Sequence, residues 1–203
     1  MAVCSEYLTL EGPAQAQLRE KMSRFIAFAI PVDTAEAARA EIARLSRDYH
    51  DARHVCWAYR LGADGSTWLS TDNGEPSGTA GKPILGQMRS AGVTNLLIVV
   101  VRYFGGIKLG TPGLIAAYRE AARLAIEAGH IITAWETENV EFTFPYLAMN
   151  DVMRLVKDTG LRIVDQQFDN VCSMALEIRA DRAEGLRDRL GGIDGVSVGR
   201  TSS

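Results

Sequence analysis

The sequence is short of the residues that build metal and disulfide frameworks. Its three cysteines, Cys4, Cys56 and Cys172, are odd in number and far apart, and there is no CxxC and no Cys/His spacing of a zinc site. Three histidines, His50, His54 and His130, are likewise scattered. No apolar run approaches the 18 or so residues of a spanning helix. MAVCSEYLTLEG lacks a basic region followed by an apolar stretch, so no signal peptide is expected and a cytoplasmic protein without membrane contact is. Excess charge is missing too. A net charge of −3 argues against a protein that wraps nucleic acid over its whole surface. Residues 1–137 are neutral, with 14 basic and 14 acidic side chains, whereas residues 138–203 carry 8 against 11, so any basic patch must be local.

What remains is an ordinary globular composition, 47% apolar and 23% charged over 203 residues. Its organising stretch is residues 70–118. Leu96 to Val101 is an unbroken apolar run of strand length, suited to the middle of a covered sheet. On either side a helix is entered from a glycine-rich loop, Gly74 to Pro83 and Gly105 to Gly113. Thr79 or the residues just after it should cap the first helix, which ends near Ala91, and Thr111 should cap the second with Pro112 at its first position. Helix starts offer free N–H groups and the positive end of the dipole to an anion. Lys82, Arg102 and Lys108 would add charge, and Gly81, Gly110 and the two threonines would add donors. The competing reading is that the glycines only permit tight turns.

The chain around this stretch reads as two domains, 1–134 and 135–203. In the first, Tyr7 to Leu10 forms a short strand and Lys21 to Ile30 a long one. Asp33 and Glu36 then resemble a capping box before a helix with Ala38, Ile42, Leu45 and Tyr49 on its apolar face. His54 to Arg60 and Ser66 to Thr71 make a hairpin, giving a mixed sheet of about four strands backed by three helices. In the second, Asn139–Tyr146, Leu147–Thr159, Leu161–Phe168, Val171–Arg179, Asp181–Leu190 and Ile193–Val198 alternate as β-α-β-β-α-β, a ferredoxin-like order. The fold class is α+β.

Catalytic readings find little support. A phosphate-binding P-loop fails because prolines occupy positions 76 and 83. His54 and Cys56 can share a strand face, but no third group orients them, so Cys56 reads as a core residue. Asp72 and Glu75 could form an acid/base pair or hold Mg²⁺; turn hydrogen bonds for Asp72 and a cation partner for Glu75 are the simpler account. Arg102, beside Tyr103 and Phe104, either ion-pairs at the end of the sheet or stacks on a base. Ser77, His54 and Tyr103 complete the supporting set. No catalytic residue, metal or cofactor is expected.

GEPSGTAGKPIL followed by VVVRYFGGIKLGTPGLIAAY closely resembles the signature of the IMPACT/YigZ family, and the resemblance extends upstream to SRFIAFAIP and HVCWAYRLG. It covers nearly the whole chain. Asn73 departs from it where many relatives carry a second aspartate, which removes one of a pair of carboxylates. The resemblance implies a ribosomal-protein-type first domain with a left-handed β-α-β crossover and a ferredoxin-like second domain like those of elongation factors. Eukaryotic relatives regulate translation by competing for the activator of a stress-responsive kinase. The expected function is therefore that of a non-catalytic binding protein of translation or its regulation, contacting RNA, ribosome or a translation-related protein through the two loops. Phosphate or sulfate should bind at those loops. The alternatives are a protein-only regulator of a stress response and an enzyme acting on a small phosphorylated or carboxylated metabolite.

Overall fold

The computed structural model of the chain describes residues 6–199. Their contacts divide them at residue 135 into two units.

The first unit is built on a five-stranded antiparallel sheet. Its strands, in spatial order, are β2 (Ala14–Glu20), β3 (Ser23–Pro31), β6 (Leu96–Tyr103), β4 (His54–Leu61) and β5 (Thr67–Thr71). β1 (Glu6–Leu10) pairs separately with β7 (Ile131–Trp135). The apolar run sits at the centre, as its composition requires. Leu96, Ile98 and Val100 face one side with α2 (Gly81–Ser90) and α3 (Gly110–Glu127); Leu97, Val99 and Val101 face the other with α1 (Ala35–Asp48). Each of these six side chains is fully buried, which stabilises by about 1.5–3 kcal/mol per residue. The crossovers β3–α1–β4 and β5–α2–β6 each skip one antiparallel strand. Because their helices lie on opposite faces, the two crossovers have opposite hands, so one of them takes the rare left-handed course.

The second unit comprises β8 (Thr137–Phe144), α4 (Met149–Thr159), β9 (Arg162–Phe168), β10 (Cys172–Arg179), α5 (Ala183–Gly191) and β11 (Ser197–Val198). The sheet order β11-β8-β10-β9 is ferredoxin-like, and Val140, Phe142 and Phe144 of β8 pack with Val152, Leu155 and Leu186 of the helices. The fold is α+β, with no helix long and apolar enough to cross a membrane among the described residues.

Three local expectations need correction. β2 and β7 lie in stretches for which the sequence predicts no element; β2 makes the first sheet five-stranded rather than about four, and β7 pairs with β1 outside it. In AQAQLRE only Ala14, Ala16 and Leu18 face the core, an alternation carried by small side chains. The cap of α1 is Thr34, whose hydroxyl accepts from the Ala37 N–H at 3.1 Å, one residue later than the Asp33 box. α2 is entered through Ala80, the residue just after Thr79 and within the expected range, whereas α3 is entered through Leu109 rather than Thr111, and neither threonine hydroxyl caps its helix.

Candidate functional site

The site lies at one end of the first unit's sheet, on the face covered by α2 and α3. Phe25 and His54 both stand opposite Arg102 in the register, so three side chains form a row across β3, β6 and β4. The first glycine loop hangs Glu75 over this row. Its Oε1 accepts from Arg102 Nη1 at 2.6 Å and from the Tyr118 hydroxyl at 2.8 Å. Oε2 lies 3.8 Å from His54 Nε2. The Glu75 and Arg102 side chains are only 3% and 6% exposed, which makes this a buried ion pair. His54 Nδ1 is 3.1 Å from the Asn73 carbonyl oxygen, a contact that requires a proton on that nitrogen. Arg102 Nη2 reaches Ser23 Oγ at 3.4 Å, while its Nε is buried with no partner.

Behind this pair the chemistry is structural. Cys56 is fully buried; its thiol donates to the Asp72 carbonyl at 2.9 Å and its sulfur lies 3.4 Å from the Tyr118 hydroxyl oxygen. Burial, with Glu75 and Asp72 nearby, pushes its thiol up to about 12, so it is no thiolate at neutral pH. Burial, then Cys56 and Glu75, also pushes the Tyr118 hydroxyl well above the usual tyrosine range.

The start of α2 is already occupied from within. Asp72 Oδ1 accepts from the N–H groups of Ala80 (3.0 Å) and Gly81 (2.8 Å), and Oδ2 from Gly78 (2.7 Å). Burial opposes ionisation of Asp72, but these three donors and Lys82 outweigh it and hold the carboxyl below its ordinary value. Thr79 is buried and its hydroxyl donates to the Pro76 carbonyl at 2.6 Å. Gly81 cannot be replaced cheaply, since a Cβ there would lie 2.8 Å from the Thr71 backbone. The donors expected from Gly81 and Thr79 are therefore spent inside the protein. Lys82 and Ser77 are exposed but lie outside the cavity described next.

That cavity, of about 470 Å³, is where the two loops meet. The first loop supplies Glu75 and Pro76, the second Lys108, Leu109, Gly110 and Thr111, and the sheet supplies His54, Arg102 and the adjoining Arg53 and Phe104. Of the sequence-expected residues, Arg102, Lys108, Gly110, Thr111, Glu75 and His54 come together here. Thr79, Gly81, Lys82, Asp72 and Ser77 do not line it. Tyr103 lies on the opposite face, its hydroxyl on Asp51 at 2.8 Å and its ring under the Arg24 guanidinium. Arg102 is tied to Glu75 and is not free to hold a phosphate directly. With those two charges cancelling, Arg53 and Lys108 remain, and neither side chain has a hydrogen-bond or ion-pair partner among the described residues. No His, Cys, Asp or Glu cluster among the described residues could hold a metal ion.

Sequence reasoning missed Arg53 and Tyr118. Arg53 precedes β4 as one charge among many on a polar stretch. Tyr118 is one of the buried side chains of α3, and only the bond of its hydroxyl to Glu75 marks it out.

The profile of the family described as the Impact N-terminal domain matches residues 21–126. IMPACT family member YigZ of Escherichia coli strain K12 is 44% identical over 152 residues, 73% of this chain and 74% of that protein. A crystal structure of a hypothetical protein superposes with a TM-score of 0.75 at 28% identity, covering 99% of this chain and 100% of the other. A solved structure of the two-domain translational regulator Yih1 is 30% identical, covering 60% of this chain and 47% of that one, with a TM-score of 0.35.

Proposed function

This chain belongs to the IMPACT family, and on that premise we propose that it is a non-catalytic binding protein of translation or its regulation, holding an anionic group of its partner in the cavity where the two loops meet. The single observation that carries this reading is Lys108 beside the start of α3. The helix start has no side-chain cap, the lysine has no internal counter-ion, and both line one cavity. A helix N-terminus with a free cation favours a phosphate or carboxylate. The start of α2 offers no such place, because Asp72 fills it. The link to translation comes from a relative, the two-domain translational regulator Yih1, which is 30% identical over 60% of this chain.

The test is cosedimentation of the full chain with ribosomes across a salt series. Binding should weaken steeply as salt rises. Lys108→Glu should abolish it, and Lys82→Glu should leave it close to the parent. Binding indifferent to Lys108→Glu, or no binding to ribosomes at all, would remove this reading.

One observation favours a second reading, an enzyme acting on a small phosphorylated or carboxylated metabolite. His54 is fixed through Nδ1 and turns Nε2 toward a buried carboxylate at the wall of the same cavity, the arrangement of an oriented acid or base. Thermal stabilisation by one member of a metabolite panel would support it; a flat panel would count against it.

A further inference from the structure

We infer that the rim joining the second glycine loop to the β2–β3 hairpin tip binds single-stranded RNA, with one base stacked on Phe104 and phosphates held on both sides of it. This inference rests on the reading of the Lys108 cavity as the partner's anion site, and it names the partner's chemistry.

Phe104 is the wall between two hollows. One is the cavity of Lys108; the other, about 380 Å³, is lined by Lys21, Met22, Arg24 and Tyr103 together with Arg19. Phe104 is 43% exposed and is shared by the linings of both hollows. The guanidinium of the buried Arg102 lies over it at 5.6 Å from the centroid, so the ring has a cationic backing. Such a ring is a platform for a second flat group.

The hairpin tip is joined to the same rim by backbone contact. A Cβ on Gly105 would lie 2.0 Å from the Met22 carbonyl carbon, so the loop after Phe104 rests directly on the tip. Lys21 (φ 41°) and Met22 (φ 68°) both take left-handed backbone, where asparagine and glycine are the favoured pair. The turn thus keeps a lysine and a 76% exposed methionine at a position whose geometry disfavours both.

Charge points the same way. Arg19, Lys21 and Arg24 line one hollow, with Arg53 and Lys108 in the other; against them stand Glu20 and Asp51, the latter already bonded to Tyr103. A chain of net charge −3 has therefore collected a local positive rim with an aromatic at its middle. An acidic peptide would use the cations and leave the ring idle. A duplex would bring phosphates but keep its base faces stacked internally. Unpaired RNA uses both.

The experiment is fluorescence anisotropy of a labelled 12-nucleotide oligouridylate with the full chain, over a salt series. Phe104→Ala should weaken binding about tenfold with the salt slope unchanged, and Phe104→Trp should restore it. Lys21→Ala, at an exposed turn that does not need its side chain to fold, should shallow the slope by about 0.7. Lys82→Ala should do neither, and a duplex of equal length should bind more weakly. If Phe104→Ala and Lys21→Ala match the parent while Lys108→Ala loses affinity, the rim is not involved and only the anion-site reading stands. If the oligonucleotide does not bind while ribosome cosedimentation persists, the partner is a protein and the inference is overturned.

Discussion

Arg102 Nη1 stands 2.6 Å from Glu75 Oε1, and the two side chains are sealed from solvent by the elements that bring them together. One comes from the central strand, the other from the first glycine loop, so the pair fastens that loop to the sheet. Removing one partner strands a charge in the interior. Glu75→Ala is expected to destabilise the protein by about 3–5 kcal/mol in chemical denaturation. Replacing both with apolar residues, Glu75→Leu with Arg102→Met, should lose clearly less than the sum of the single changes. Strict additivity in that double-mutant cycle would mean the two charges are not coupled.

The pair also shows what the sequence could and could not reveal. The strand under Arg102 was legible because six consecutive apolar residues have one place to go, and the helices were legible from their periodicity. Loop convergence was not, because it depends on which sheet neighbours β6 takes. Lys82 and Lys108 look equivalent in the sequence, each beside a glycine-rich helix start. They differ because Asp72, just after β5, bonds to the start of α2, while among the described residues no side chain caps the start of α3. β2 was hidden by alanine and glutamine, which carry little strand preference, and with it went the hairpin tip.

Asp72 makes stability pH-dependent. Its carboxyl is held below the ordinary value of about 3.9, so its contribution is present above that value and is lost as pH falls through the depressed one. Asp72→Asn should cost about 0.5–2 kcal/mol at neutral pH, the range for losing a helix cap. The variant's stability should also lack this group's decline on acidification. Parallel acid profiles for parent and variant would contradict the assignment.

Cys56 sets a limit on thiol chemistry. A buried thiol displaced to about 12 and bonded to a carbonyl should react with iodoacetamide only when the domain opens. Labelling of the native chain at pH 8, read by peptide mass, should leave Cys56 and the buried Cys172 unmodified and should capture both in denaturant. Rapid native labelling of Cys56 would show a thiolate that this environment does not support.

The hairpin tip should trade stability against binding. Lys21 and Met22 each occupy left-handed backbone that costs an L side chain roughly 1–2 kcal/mol. Replacing them with Asn-Gly, which suits a two-residue turn of this hand, should raise unfolding stability by about 1–2 kcal/mol while weakening oligonucleotide binding. Gly105→Ala should act in the opposite sense on stability, because its Cβ would collide with the Met22 carbonyl and push the tip away from Phe104. A stabilised Asn-Gly variant with undiminished affinity would show that the strained turn is kept for something other than RNA.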